Sequence, residues 1–323
     1  MGNLLFDLKN AGNYEGIEHR ICEISTKLTR NPEVNLKGKF FYLTFRNNKI
    51  TEKEFAKFIY DKIIRYCIPR KKFSEAIKNL EKTDDERFVM DIHDQARNLF
   101  IHSVNEKGAQ LGEPGELIAF IILEYFFNAP QIACKMFLKT SEKMPVHGSD
   151  SVHIRFSGED NKLELIWGEA KLYQNLSDGL ENALESIFSF VDINNGRSSR
   201  DRDIDIIKDM PDVESEEMQE ELCRYFDPYS EESNNWKEVF CCLVGFDYSL
   251  YSNIKGNSAK EIEEYFKKEY LKRIDTAHRL FEKKIKDKNL TELEFLLILL
   301  PFQSLNNFRK EFFKLLGLRE SGE

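Results

Sequence analysis

Two stretches near the middle of the chain repeat with a period of two. Val152, Ile154 and Phe156 are spaced by His153 and Arg155, and Leu163, Leu165 and Trp167 by Glu164 and Ile166. That period sends successive side chains to opposite faces of a strand. Ser157-Gly158-Glu159-Asp160-Asn161 carries turn-forming residues between them, so the stretches predict a hairpin. Elsewhere the spacing alternates between helical and extended. Residues 39–45 (KFFYLTF) predict a strand. Thr51, with Glu54 three residues on, predicts a capping box and a helix to about Cys67, which Pro69 stops. Further helices are expected over 73–80 and 84–100, and an amphipathic segment over 17–28.

Gly112 to Pro114 marks a boundary before a helix over 115–127 that is apolar nearly all round and therefore predicted to be buried. Residues 131–139 read as a strand or short helix, carrying Lys135 and Lys139, and as the first core strand. Ser177 is expected to cap a helix whose apolar stripe is Leu180, Ala183, Leu184, Ile187, Phe188 and Val191. Residues 194–201 read as a loop, 203–209 as a helix and 238–248 as a buried strand. A long charged helix over 258–287, a last strand over 293–301 and a terminal helix over 305–315 complete the chain. The order predicts an α/β protein with helices flanking a mixed sheet, in two regions: a small α+β part at 1–105 and a larger part at 106–323.

Composition fits this: 41% of residues are hydrophobic and 26 are Phe, enough for a sizeable core. The six cysteines form no CxxC pair, which leaves zinc and thioredoxin-like readings unsupported, and Cys241-Cys242 falls inside an apolar strand. The N-terminus lacks a basic flank and a long apolar run, and FLLILLPF (295–302) is too short to span a bilayer, so a cytoplasmic protein without membrane contact is expected. Net charge is −9, yet residues 201–235 alone hold 13 acidic and three basic residues. The remainder is close to neutral and need not repel phosphate. That acidic run reads as a docking surface, a mask over a cleft, or simply a solvated face.

Candidate chemistry gathers around the hairpin. Asp150 precedes its first strand, and Glu169 and Lys171 close the second. Spaced by two, Glu169 and Lys171 leave the strand on one face. Two carboxylates can hold a hard cation such as Mg²⁺, which needs only one or two protein carboxylates. The carbonyl of Ala170 could add an oxygen. Lys171 could then orient water or offset developing negative charge. Glu116, in the first turn of the buried helix, is a candidate third ligand, or merely a Glu favoured by the helix dipole. His147 and His153 flank Asp150 and read as structural or as site residues. Tyr173 and Gln174 follow the lysine and could touch substrate. His93-Asp94 reads as a surface pair rather than a metal doublet, having no companion ligands in the sequence.

Asp150…Glu169-Ala170-Lys171 resembles the PD-(D/E)xK nuclease superfamily. HGSDSVH, LIWGEAKLY, an amphipathic helix and CCLVGFDYS in that order resemble the HamA family, nuclease subunits of the Hachiman anti-phage system, over roughly residues 105–315. The resemblance implies a restriction-endonuclease-like fold, with Asp150 and Glu169 as metal ligands and Lys171 as the catalytic lysine. It implies Mg²⁺ or Mn²⁺ as cofactor and DNA as substrate. It further implies a hetero-complex with a helicase, HamB, that restrains the nuclease until DNA is sensed. The alternative is an inactive nuclease-fold adaptor that binds nucleic acid or the helicase. The joint presence of Asp150, Glu169 and Lys171 argues against it, and a metal titration discriminates the two.

Overall fold

The computed structural model describes residues 8, 12–26, 28, 31–47, 49–107, 113–138, 148–157, 162–193, 197–254, 256 and 258–318. Gly112, Lys139, His147 and the turn residues 158–161 and 194–196 lie outside them. A 3₁₀ turn (Ile17–His19) leads into β1 (Ile21–Ile24), so the segment expected to be amphipathic contains a strand. β2 (Asn35–Leu43) is longer than the aromatic run predicted, and β3 (Phe45–Arg46) and β4 (Lys49–Ile50) form a separate two-stranded ribbon. The single helix expected up to Cys67 is two, α1 (Glu52–Tyr60) and α2 (Ile63–Cys67). The Thr51 hydroxyl, expected to cap α1, lies 3.1 Å from the Thr44 carbonyl and 3.2 Å from that of Arg20.

Pro69 sets the start of α3 (Arg70–Thr83), which ends where Asp84 takes the left-handed conformation. α4 (Arg87–Lys107) precedes α5 (Glu113–Phe126), whose residues from Leu117 to Leu123 are all buried, as its uniformly apolar surface requires. Both readings of residues 131–139 hold in turn: β5 (Gln131–Ala133) is a strand and α6 (Lys135–Leu138) a helix. The predicted hairpin strands are β6 (Ser151–Phe156) and β7 (Leu163–Tyr173). α7 (Leu176–Val191) begins one residue before the expected cap, with Asn175 Oδ1 accepting from the Ser177 N–H at 2.8 Å. α8 (Ser199–Asp209) starts inside the expected loop, fixed by a reciprocal capping box between Ser198 and Asp201. α9 (Glu216–Phe226), capped by Ser215, is a helix the acidic composition hid. β8 (Trp236–Asp247), α10 (Ala259–Asp287), β9 (Glu294–Phe302) and α11 (Leu305–Leu315) follow within two residues of their predicted bounds.

The main sheet is seven-stranded in the order β1-β2-β9-β8-β7-β6-β5. β2 and β8 run parallel to β9, whereas β1–β2, β6–β7 and β5–β6 are antiparallel, so the sheet is mixed. Its central strands are buried almost end to end, which explains their continuous apolar runs. Among the described residues no helix is long and apolar enough to cross a membrane.

The chain divides into two compact units, and neither is one continuous stretch. The first comprises residues 1–13, 61–168 and 189–239; the second comprises 14–60, 169–188 and 240–323. Residues 1–105 therefore contribute to both. In the first unit, Tyr66 packs against Phe100 and Phe120. In the second, the fully buried Phe266 ring contacts Tyr42, Phe45, Tyr248, Tyr251 and Tyr270, with Tyr251 stacked at 4.5 Å. Phe266→Ala is expected to cost about 3–5 kcal/mol in denaturant unfolding. A loss below about 1 kcal/mol would mean that this ring cluster collapses without penalty.

Candidate functional site

In the first unit, the loop before β6 presents Asp150, half-buried, with its backbone fixed from two sides. The Asp150 N–H donates to the Gly168 carbonyl at 2.9 Å, continuing the β6–β7 ladder by one bond. A Cβ on Gly168 would meet Ser151 Oγ at 2.2 Å, so the glycine of WGEAK is required for the two strands to close there. Glu116 is 2% exposed in the first turn of α5 and accepts from the Tyr66 hydroxyl at 2.7 Å. Burial first, then the charge of Glu116, and more weakly that of Asp150, push the Tyr66 phenol well above its ordinary value. Tyr66 therefore stays a donor, and Glu116 and Asp150 both lie within electrostatic reach of it.

In the second unit, Glu169 and Lys171 leave β7 on one face, as their spacing predicts, and their side chains form an ion pair at 2.6 Å. Glu169 is mostly buried and Lys171 partly exposed. Behind them lies Cys242, fully buried in β8. Desolvation, with Glu169 adding and Lys171 subtracting, pushes the Cys242 thiol well above its ordinary value. A thiol held protonated is a poor metal ligand, so the donors this face can offer a cation are hard oxygens. Among the described residues, no three His, Cys, Asp or Glu side chains form a closed metal-holding group. An Mg²⁺-type ion, which keeps several of its waters, needs no such cage.

The flanking candidates sort differently. His153 is fully buried, its Nδ1 2.8 Å from the Ala129 carbonyl and its ring beside Phe120, which makes it a core histidine. Tyr173 and Gln174 are exposed at the end of β7. His93 and Asp94 pair at 3.5 Å on the exposed side of α4, a surface pair as expected.

The sequence reading named Lys135 without a role and did not single out Ser149 or Asp203, yet all three bear on the Asp150 loop. Lys135, 1% exposed, donates to Ser149 O at 2.6 Å and Ser149 Oγ at 2.9 Å, and forms an ion pair with Asp203. Asp203, 1% exposed, lies in the acidic run read as a docking surface, a mask or a solvated face. Seven of its 13 acids are exposed, but Asp203, Asp212 and Glu221 are buried, and Asp212 pairs with Arg70. A lone lysine within the apolar QIACKMFL was the available signal for such a partner.

In chain order, α5, β5, β6, β7, α7 and β8 are a helix, three antiparallel-linked strands of a mixed sheet, a helix and a further strand of that sheet. This is a restriction-endonuclease-like α/β protein. The chain belongs to the HamA family, whose model matches residues 18–316, and so is a component of the Hachiman defence system. The match reaches much further toward the N-terminus than the motif-bearing blocks, so β1, β2 and the first helices are part of what the family shares. Compared with curated proteins, the sequence finds no significant match.

Burial lowers the His153 pKa from 6.5 to about 3. The unfolded chain therefore takes up a proton below pH 6.5 that the folded protein refuses until about pH 3. Stability is full above pH 6.5 and falls with acidification, by up to about 1.4 kcal/mol per pH unit. His153→Asn, whose amide can replace Nδ1, should be less stable at neutral pH but should lose less between pH 6.5 and 5. His278 is also depressed by burial but is present in both proteins, so their difference isolates His153. Parallel pH–stability curves would show that His153 does not carry the effect.

Proposed function

We propose that this chain is the metal-dependent DNA nuclease effector of its defence system, restrained by a helicase partner. The observation that carries the reading is the Glu169–Lys171 pair at 2.6 Å on one face of β7, immediately after the Gly168 carbonyl that holds the Asp150 backbone. Asp150 and Glu169 would hold the cation, with Glu116 a further carboxylate braced by Tyr66. A divalent cation bound there supplies an activated water and stabilises charge on the phosphoryl oxygens. Lys171, partly exposed and paired with Glu169, would bind a phosphate oxygen or orient the water. In the resting protein its ammonium lies 2.6 Å from the Glu169 carboxylate, a counterion for a mostly buried acid.

Membership of the HamA family supports the same roles, and the family's helicase partner supplies the restraint that a toxic nuclease needs. Cleavage of plasmid DNA should require Mg²⁺ or Mn²⁺ and stop in excess chelator; undiminished cleavage with chelator would sink the mechanism.

Lys171→Ala and Glu169→Ala separate the two roles. Lys171→Ala should lower the cleavage rate about 10²- to 10³-fold, because a preorganised charge acts on the transition state. It should leave Mg²⁺ half-saturation unchanged or lower, since the ammonium no longer competes for Glu169. Glu169→Ala should lose cleavage and also require more Mg²⁺. Near wild-type cutting by folded Lys171→Ala would reduce Glu169-Ala170-Lys171 to an ordinary strand end.

Co-expressed with its helicase, the chain should co-purify and cut less than it does alone. Equal cutting by the isolated chain and the complex on every DNA substrate would remove the restraint from the proposal.

A further inference from the structure

The segment Gly148-Ser149-Asp150 is held by a device that neither the family match nor the nuclease reading requires. Every polar atom of Ser149 is taken. Its carbonyl and Oγ accept from Lys135 Nζ at 2.6 and 2.9 Å, and its N–H and Oγ donate to Asp203 Oδ2, each at 3.1 Å. Lys135 and Asp203 also pair with each other, and both are about 1% exposed. Gly148 backs directly onto the carboxylate: a Cβ there would lie 2.5 Å from both Asp203 oxygens. One residue further on, the Asp150 N–H is held by Gly168 O.

A buried ion pair is a poor way to gain stability, because desolvating two charges offsets most of their attraction. What it does well is fix geometry, since each charge accepts only the partners it was built around. Here the partners are the backbone and side chain of the residue immediately before Asp150.

We infer that Lys135 and Asp203 are positioning residues that lock the turn at Gly148-Ser149 and thereby set where the Asp150 carboxylate meets a metal ion. The inference rests on the reading of Asp150 as a metal ligand. The acidic helix α8 thus grips the loop with Asp203, its one fully buried charge, while Arg202 and Asp209 face solvent. Residues that orient a metal ligand typically matter about 10- to 100-fold in metal affinity or activity.

The test uses the full chain and three measurements on each variant: thermal unfolding, plasmid cleavage against Mg²⁺ concentration, and hydrogen exchange of the peptide spanning residues 148–151. Removing one charge strands the other, so the pair is removed together as Lys135→Met/Asp203→Leu, which keeps volume without leaving a buried ion. Gly148→Ala is the second variant, keeping both charges while its Cβ forces the turn and the Asp203 carboxylate apart. For each folded variant, Mg²⁺ half-saturation should rise about 10- to 100-fold, with cleavage partly rescued at high Mg²⁺ and exchange at 148–151 accelerated. A folded variant of either kind with wild-type Mg²⁺ dependence and wild-type exchange protection would overturn the inference. Asp150→Asn in the same assay keeps the two claims apart. If Asp150→Asn cuts normally, the metal-ligand reading fails, while faster exchange in the other variants still supports the lock itself. If Asp150→Asn is inactive and the other variants behave as wild type, the lock is wrong and the nuclease reading stands.

Discussion

Several of the charges buried among the described residues come in pairs, and much of the local architecture around Asp150 and Glu169 follows from that pairing. An isolated ion in a low-dielectric interior is so costly that the group neutralises or the structure rearranges. Glu164, 1% exposed on β7, meets Arg155 at 2.5 Å and Lys237 at 3.4 Å. Arg70 meets Asp212 at 3.3 Å and Glu124 at 3.4 Å, while donating to the carbonyls of Gln131 and Asp212. Lys135 meets Asp203, and Glu169 meets Lys171. Removing one member of such a pair costs about 3–5 kcal/mol, much more than the pair contributes when intact.

This pairing changes the meaning of the negative net charge. The acidic segment is not simply a surface that would repel phosphate. Asp203 and Asp212 are neutralised by cations from distant parts of the sequence, Lys135 and Arg70, so two of the 13 acids in that run serve the interior. A proposed DNA-cutting role therefore does not conflict with the charge count. It also does not predict strong unaided DNA binding, which fits a nuclease working beside a helicase.

The same constraint separates two kinds of buried polar residue near Asp150. His153 is accommodated by giving up its proton: desolvation keeps it neutral, with a carbonyl for its one donor nitrogen. Glu169 is accommodated by a counterion, the Lys171 ammonium at 2.6 Å. A histidine sealed in the core is inert toward a cation it cannot reach, whereas a carboxylate whose partner is a partly exposed lysine can exchange that partner for one. The difference between a structural group and a candidate ligand is here a difference in how burial is compensated.

The sequence by itself determined the elements that depend on local periodicity and on capping chemistry. The β6–β7 hairpin, the buried α5, and β8, α10, β9 and α11 were legible because apolar spacing and Ser or Pro punctuation act over a few residues. The shared face of Glu169 and Lys171 was legible for the same reason, since alternation along a strand is geometric. Tertiary structure decided the rest. The extra helix α9 sits where polar composition conceals burial, and the break between α1 and α2 falls at the exposed Asp61. Tyr66, which no local pattern marks, braces Glu116 across 50 residues of sequence. Lys135 and Asp203 lie 68 residues apart and touch Asp150's neighbour from opposite sides in the chain. No local pattern encodes such a partnership, because a buried ion's counterion is chosen by the fold that removes the water from both.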